Sequence, residues 1–171
     1  MLVDANVIIE SYRIRAWRAL TGGYRIETVE DCVTETQTGF QLRRMEQLIA
    51  LPELRESLAM EYSVSDHERV ELLVQIEGIA LDRGEESLWA HALGRDDRWF
   101  LCGPDRASLR CGVRLGLQDR IASLETLLDG VGHRARIAPK RHYTRQWQEQ
   151  VLVEFGFAER ERNSRRQKSQ S

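Results

Sequence analysis

Short apolar runs that lead into an acidic residue constrain the fold of this chain more than any other feature. Residues 1–3 (MLV) are followed by Asp4, and residues 99–102 (WFLC) are followed by a Gly-Pro turn and Asp105. Runs this short and this uniformly apolar are typical of central strands in a parallel sheet, which are buried on both faces. Segments with helical spacing follow both runs. The alternation predicts an α/β protein with a mainly parallel sheet.

Turn and cap residues mark the other predicted elements. Residues 24–29 alternate like a second strand, and residues 121–122 are a candidate for a last short strand. Ser65 and Glu68 have the spacing of a capping box, which predicts a helix from there to Leu81. Further helices are predicted in residues 30–49 with an interruption near Gly39, and in residues 85–93, 106–115 and 124–128.

The charge is divided unevenly along a chain whose formal net charge is only −2. Residues 1–130 hold 15 basic and 23 acidic side chains, whereas residues 131–171 hold 10 basic and 4 acidic ones. This asymmetry suggests either a nucleic-acid contact or complementarity within the molecule. We predict a domain over residues 1–130 and a basic, helical extension over residues 131–158 that packs on it. Residues 159–171 are polar and charged and are predicted to be disordered.

Composition excludes several classes of protein. No segment approaches the ~20 apolar residues of a membrane span, and the first residues do not resemble a signal peptide. The three cysteines lack CxxC spacing, which favours free thiols and a cytoplasmic location. The four histidines show no zinc-site spacing, and no glycine-rich phosphate loop of the Walker or dinucleotide type is present.

Acidic residues stand where parallel strands end and where the next helices begin. Asp4 and Asp105 follow apolar runs, whereas Glu35 and Glu86 lie near helix starts. These positions meet at the carboxyl edge of a parallel sheet, where ligands bind. Converging carboxylates repel one another unless a cation neutralises them, and oxygen ligands favour Mg²⁺ or Mn²⁺. A structural interpretation stays open: the aspartates could only cap helices, and the glutamates could only be solvated.

Four segments, in chain order, resemble the motifs of the PIN domain, a metal-dependent nuclease family that includes the ribonuclease toxins of bacterial toxin–antitoxin pairs. They are residues 1–8 (MLVDANVI), 32–35 (CVTE), 84–90 (GEESLWA) and 100–107 (FLCGPDRA). Residues 115–117 and 121–125 resemble the closing strand and helix of that family. The resemblance covers about residues 1–130, and its specificity comes from the order of the four segments.

The resemblance implies a three-layer α/β/α sandwich and an endoribonuclease that depends on Mg²⁺ or Mn²⁺. It implies Asp4, Glu35, Glu86 and Asp105 as metal ligands and catalytic residues. Glu86 is the better match by register, although Glu85 could face the site instead. The family usually has Ser or Thr two residues before its last acid, and this chain has Gly103, which puts activity more in doubt than the fold. For a toxin, the resemblance also implies an antitoxin partner and a homodimer.

Arginine supplies 23 of the 25 basic side chains, and several arginines are candidates for phosphate contacts. Arg106, Arg110 and Arg114 recur at every fourth residue and share a helix face beside Asp105. Arg13 follows the first motif, and Arg141 lies in the basic segment near Tyr143 and Trp147, whose rings could stack on bases. A solvated surface stripe explains the same arginines, and packing of a terminal helix explains the same rings. Arg13, Arg106, Arg110 and Arg141 are retained as candidate nucleic-acid contacts.

The sequence therefore predicts a metal-dependent nuclease that cleaves RNA, with DNA as a second candidate substrate and no membrane partner. An alternative is a PIN-like module with weakened chemistry that binds nucleic acid or a protein.

Overall fold

The computed structural model describes residues 1–38 and 49–169, and these form an α/β fold around a parallel sheet. The strands of the described residues are β1 (Leu2–Val3), β2 (Glu27–Val29), β3 (Met60–Tyr62) and β4 (Leu101–Cys102). All are parallel to their neighbours, and they lie in the order β3-β2-β1-β4. Ile121 forms a single parallel bridge with Leu101, so the predicted last strand is reduced to one bridge beside β4. The predicted α/β class and the parallel sheet are confirmed.

Helices connect the strands and extend the chain beyond the sheet. Between β1 and β3 lie α1 (Ala5–Arg13), α2 (Trp17–Gly23), α3 (Glu30–Gln37) and α4 (Leu51–Ser57). Between β3 and β4 lie α5 (Asp66–Gln75) and α6 (Arg83–Leu93). After β4 come α7 (Arg106–Arg114), α8 (Leu124–Gly130) and α9 (Arg145–Ser169), with short 3-10 helices at Gln118–Arg120 and Arg141–Tyr143. None of the described helices has the length and apolar character to cross a bilayer.

Buried side chains form two hydrophobic clusters, because successive residues of a strand point to opposite faces of the sheet. Val3 and Cys102 belong to one cluster, together with residues of α1, α2, α4 and α8. Leu2 and Leu101 belong to the other, together with residues of α5, α6 and α7. A sheet with a separate core on each face is consistent with the predicted three-layer sandwich. The three cysteines are free and buried.

Local cap chemistry explains several helix boundaries. Ser65 accepts a hydrogen bond from the backbone of Glu68, whose side chain returns to the Ser65 backbone, so the predicted capping box is confirmed. The helix it starts ends at Gln75 instead of Leu81, because Gly78 adopts a left-handed φ of 78°. Strand β3 and helix α4 carry no strong pattern and were missed. The predicted interruption near Gly39 and most of the helix after it lie outside the described residues.

The C-terminal segment differs from the prediction. Residues 159–169, predicted as a disordered tail, continue α9 without a break. Glu159 is buried and forms ion pairs with Arg114 and Arg162, so the first residue of the predicted tail attaches α9 to α7. Arg166 extends the attachment with an ion pair to Glu77 at 2.7 Å. Packing of residues 131–158 on the body is seen at α7 and α8, which both contact α9.

Candidate carboxylate site

The strand order reverses between β1 and β4, because β2 and β3 lie on one side of β1 and β4 lies on the other. In open parallel sheets, ligands bind at the carboxyl ends of the strands beside such a reversal. Asp4 follows β1 and caps α1, whereas Asp105 follows β4 and caps α7. The topology therefore brings these two predicted site residues to one location.

Asp4 is a buried carboxyl with few compensating contacts. Its exposed fraction is 2%, and its Oδ2 accepts a long hydrogen bond of 3.3 Å from the Asn6 backbone. The thiol of Cys32 lies 3.9 Å from Oδ1. The pKa of Asp4 is raised to about 7, first by burial and then by the negative charges of Asp82 and Glu35. Helix capping alone would lower this pKa, so its elevation reflects burial together with the neighbouring carboxylates.

Glu35 reaches from α3 to the start of α6. Its Oε1 accepts a hydrogen bond of 2.8 Å from the Gly84 backbone N–H, one of the donors left free at a helix N-terminus. A Cβ on Gly84 would lie 2.6 Å from Oε2 of Glu35, so only glycine allows this approach. The pKa of Glu35 is raised by its partial burial and then by the negative charge of Asp82.

Asp82 and Glu85 form a second capping box at the start of α6. The Glu85 backbone donates to Oδ1 of Asp82 at 2.9 Å, and the Asp82 backbone donates to Oε2 of Glu85 at 3.3 Å. Oε1 of Glu85 is buried and has no hydrogen-bond partner among the described residues. Burial raises the pKa of Glu85 to about 9, followed by the charges of Asp105, Asp82 and Asp4. An unpartnered buried oxygen of this kind needs an explanation such as a bound ion.

Glu86 lies apart from these carboxyls. Its Oε1 is 3.9 Å from Nε of Arg69, a buried arginine that also pairs with Asp66 and Asp31. Because consecutive residues of a helix point about 100° apart, only one of two adjacent glutamates faces a given partner. Charge interactions link Asp4 with Glu35, and Glu85 with Asp4 and Asp105, whereas the ionic neighbour of Glu86 is Arg69.

Asp82 is the member of the site that the sequence analysis missed. A signal for it was present, since Asp82 and Glu85 have the spacing of a capping box, which predicts a helix start at residue 83. We define the carboxylate cluster as Asp4, Glu35 and Glu85, whose pKa values are raised, together with Asp82 and Asp105, whose charges contribute to these rises. Asp31 also raises the pKa of Glu35, but it is left out because it pairs with Arg69 and Arg83.

The chemistry of the carboxylate cluster fits a hard divalent cation. All of its donor atoms are carboxylate oxygens, and the leading charges acting on Asp4, Glu35 and Glu85 are those of other carboxylates. Within residues 1–38 and 49–169, however, no three His, Cys, Asp or Glu side chains lie close enough to hold a metal ion as they stand. The carboxylates are thus neighbours that do not form a closed coordination shell.

Gly103, the departure from the family motif, lies beside this cluster. A Cβ on Gly103 would lie 3.5 Å from Cβ of Asp4 and 3.5 Å from Oγ of Ser108, which is ordinary van der Waals distance. The site therefore accepts a Cβ at this position without displacing its neighbours.

The arginines of α7 contact α9. Arg106 pairs with Glu154 at 2.5 Å and lies over the ring of Phe155, while Arg110 lies 3.8 Å from Glu159. Arg114 donates two hydrogen bonds of 2.7 Å to Glu159, and these lower the pKa of Glu159. Two predicted phosphate contacts, Arg106 and Arg110, thus have acidic partners within the chain.

The two other candidate arginines differ from each other. Arg13 binds Glu10 through two hydrogen bonds of 2.7 and 2.6 Å and also donates to the Ala138 carbonyl. Arg141 is exposed, and its side chain has no hydrogen bond or ion pair with the part of the chain that the structure describes. Tyr143 is buried and donates to the Asn6 carbonyl at 3.0 Å, so its ring packs against the body.

Comparison of the chain with protein families, curated proteins and solved structures finds no match.

Proposed function

We propose that this protein is a divalent-metal-dependent nuclease, and specifically an endoribonuclease that hydrolyses RNA phosphodiesters with Mg²⁺ or Mn²⁺. One observation carries the proposal: Asp4, Glu35 and Glu85 share one end of the sheet, and their pKa values are raised by burial and by neighbouring carboxylates. Like charges gathered in this way cost stability and are characteristic of functional sites. The PIN-like resemblance of residues 1–130 supports the same proposal independently.

The proposed ligands are Asp4, Glu35, Glu85 and Asp105, with Glu85 replacing Glu86 of the original expectation. When bound, a divalent ion in such a site lowers the pKa of a coordinated water and stabilises charge on the phosphodiester oxygens. The chain's contribution is to hold the carboxylates in place. Gly84 fixes Glu35 by its backbone N–H, and Asp82 fixes one oxygen of Glu85 and leaves the other unpartnered among the described residues.

The test is cleavage of single-stranded RNA by the full chain in Mn²⁺ or Mg²⁺, compared with EDTA. Asp4→Asn and Glu85→Gln are expected to lower the rate at least about 100-fold, since each removes part of several kcal/mol of charge stabilisation. Glu86→Gln is the matched control, because it changes the neighbouring glutamate, which lies against Arg69. This variant is expected to keep the wild-type rate.

Cleavage that persists in EDTA or in Asp4→Asn would contradict the proposal. Loss of cleavage in Glu86→Gln with full cleavage in Glu85→Gln would indicate that Glu86, as expected from the sequence, is the metal ligand. A parallel reaction with single-stranded DNA of the same sequence tests the preference for RNA.

The second candidate function is a PIN-like module that binds nucleic acid or a protein without cutting. Two observations favour it: Gly103 lacks the hydroxyl of the family motif, and no three described side chains stand ready to hold a metal. Metal-independent RNA binding without cleavage would support this alternative. The toxin role, the antitoxin partner and the homodimer stay predictions of the resemblance alone.

A further inference from the structure

A groove lined by basic side chains lies at the end of α1 that is remote from Asp4. It has a volume of about 480 Å³ and is lined by Ile14, Arg15, His133, Arg134, Arg136 and Ile137, which we call the basic groove. No acidic residue of the described ranges 1–38 and 49–169 lines it. Its two walls come from distant parts of the chain, the corner between α1 and α2 and the loop after α8.

The arginines of the basic groove differ from most others in this protein. Arg15, Arg134 and Arg136 are exposed, and none of their guanidinium groups has a hydrogen bond or ion pair with residues 1–38 or 49–169. By contrast, the arginines of α7 have acidic partners on α9. Three unpaired guanidinium groups around one groove repel one another unless an anion joins them.

The backbone at Arg15 adds an independent observation. Arg15 has a φ of 58°, and it is the only non-glycine residue with positive φ among those described. This conformation costs a residue with a side chain about 1–2 kcal/mol, and glycine or asparagine would adopt it more cheaply. The chain thus carries strain at the residue that places an arginine on the groove, and such outliers cluster at functional positions.

A buried glutamate holds the two walls together. Glu10 is 1% exposed and accepts hydrogen bonds from Arg13 and, at 2.8 Å, from the Lys140 backbone. Arg13 in turn donates to the Ala138 carbonyl at 3.0 Å. The loop that carries Arg134 and Arg136 is therefore fastened to α1 by a buried charge, so the groove is a built part of the fold.

We propose that the basic groove binds the phosphodiester backbone of a single-stranded nucleic acid whose scissile bond lies at the carboxylate cluster. The proposal rests on the proposed function. Arginine forks match phosphate oxygens, and a lining without acidic side chains among the described residues suits a strand with one charge per nucleotide. Helix α1 separates the two sites by about 13 Å, so the strand must exceed about four nucleotides to reach both.

The experiment is fluorescence anisotropy of a labelled 12-nucleotide RNA with the full chain in EDTA, where metal-dependent cleavage is silent. The triple variant Arg15→Ala/Arg134→Ala/Arg136→Ala is expected to raise Kd at least tenfold at low salt. The slope of log K against log salt is expected to fall by about 2, as for three lost phosphate contacts on a single strand. The control Arg98→Ala/Arg160→Ala/Lys168→Ala removes the same charge from exposed positions elsewhere and is expected to bind like the wild type.

The variant Arg15→Gly tests whether RNA binding can be weakened without destabilising the fold. It removes one guanidinium and relieves the strained φ, so we expect weaker RNA binding together with equal or higher thermal stability. Wild-type binding by the triple variant, or an equal loss in the control, would overturn the proposal. Competition by a polyglutamate peptide at the same charge concentration as the RNA would overturn it in favour of an acidic protein segment.

Cleavage in Mn²⁺ distinguishes failure of the groove from failure of the proposed function. If the nuclease proposal fails and the groove holds, no RNA is cut, but the triple variant still binds more weakly than its control. If the groove fails and the nuclease proposal holds, both variants bind and cut RNA like the wild type.

Discussion

The carboxylate cluster and the contact between α7 and α9 use charge in opposite ways. In the cluster, Asp4 and Glu85 are buried among other carboxylates, and their pKa values rise to about 7 and about 9. In the helix contact, Glu159 is also buried, but Arg114 holds it by two hydrogen bonds and lowers its pKa. The carboxyls of the cluster are buried more deeply, and their charged neighbours with the largest effect on pKa are other carboxylates instead of an arginine.

The two regions show which buried charges stabilise the fold and which destabilise it. A buried carboxylate with an arginine partner is compensated, and removing either member leaves the other uncompensated. A buried carboxylate that is surrounded by other carboxylates lowers the stability of the fold. Such a group is retained where it binds a ligand. The two regions are therefore predicted to respond to mutation with opposite sign.

The largest expected effect is at the compensated contact. Glu159→Ala should lower the free energy of unfolding by about 3 kcal/mol, because it leaves the largely buried Arg114 without its carboxylate. Urea titration followed by circular dichroism measures this. Glu154→Ala is the control, since its pair with Arg106 is exposed and should contribute at most about 1 kcal/mol. Equal losses in the two variants would remove the distinction between the buried and the exposed pair.

At the carboxylate cluster, Asp4→Asn should change the free energy of unfolding in the opposite direction. It should raise the free energy of unfolding at pH 8 in EDTA by roughly 2 kcal/mol, a part of the about 4 kcal/mol that three pKa units represent. The amide keeps the shape of the side chain and removes the buried charge. Loss of stability would indicate that capping of α1 outweighs repulsion. The same urea titration, repeated at pH 8, makes the measurement.

The pH dependence of stability should follow the same contrast. Asp4 and Glu85 bind their protons more tightly in the folded protein than in the unfolded chain, where carboxyls titrate near pH 4. Their contribution to stability is therefore complete below about pH 4 and is lost as pH rises to about 7 for Asp4 and about 9 for Glu85. The melting temperature of the double variant Asp4→Asn/Glu85→Gln should change less between pH 6 and 9 than that of the wild type. An identical slope in both proteins would contradict the assigned pKa shifts.

The smallest expected effect on stability is at Gly84. In Gly84→Ala the new Cβ would displace the flexible end of the Glu35 side chain. The free energy of unfolding should therefore change by less than about 1 kcal/mol, whereas the rate of metal-dependent cleavage should fall. Gly22→Ala is the matched control, because its Cβ would meet nothing within 4 Å and alanine favours a helix. Thermal melts and cleavage rates of the two variants together make the test. Cleavage by Gly84→Ala at the wild-type rate would indicate that the position of Glu35 does not affect the reaction.

The sequence predicted the parts of the fold that are encoded locally. The apolar runs before Asp4 and Asp105 predicted two buried strands, and cap spacing predicted the start of α5 at Ser65. Strand β3 was not predicted, because its residues are partly exposed at the edge of the sheet, where no continuous apolar run is required. The tail was mistaken for disorder because its stabilising partners, such as Arg114 and Glu77, are remote in sequence.

Apolar periodicity and helix caps act over a few residues, so the sequence was enough to predict the α/β class, the parallel sheet and the caps at Asp4 and Asp105. The tertiary structure gives the adjacent Glu85 and Glu86 different surroundings, because they differ by one step of helix rotation: the pKa of Glu85 responds to other carboxylates, whereas Glu86 lies near Arg69. It also decided which arginines are paired within the chain and which surround the basic groove. Electrostatic interactions act through space, so the use of a charge depends on neighbours that the linear order does not show.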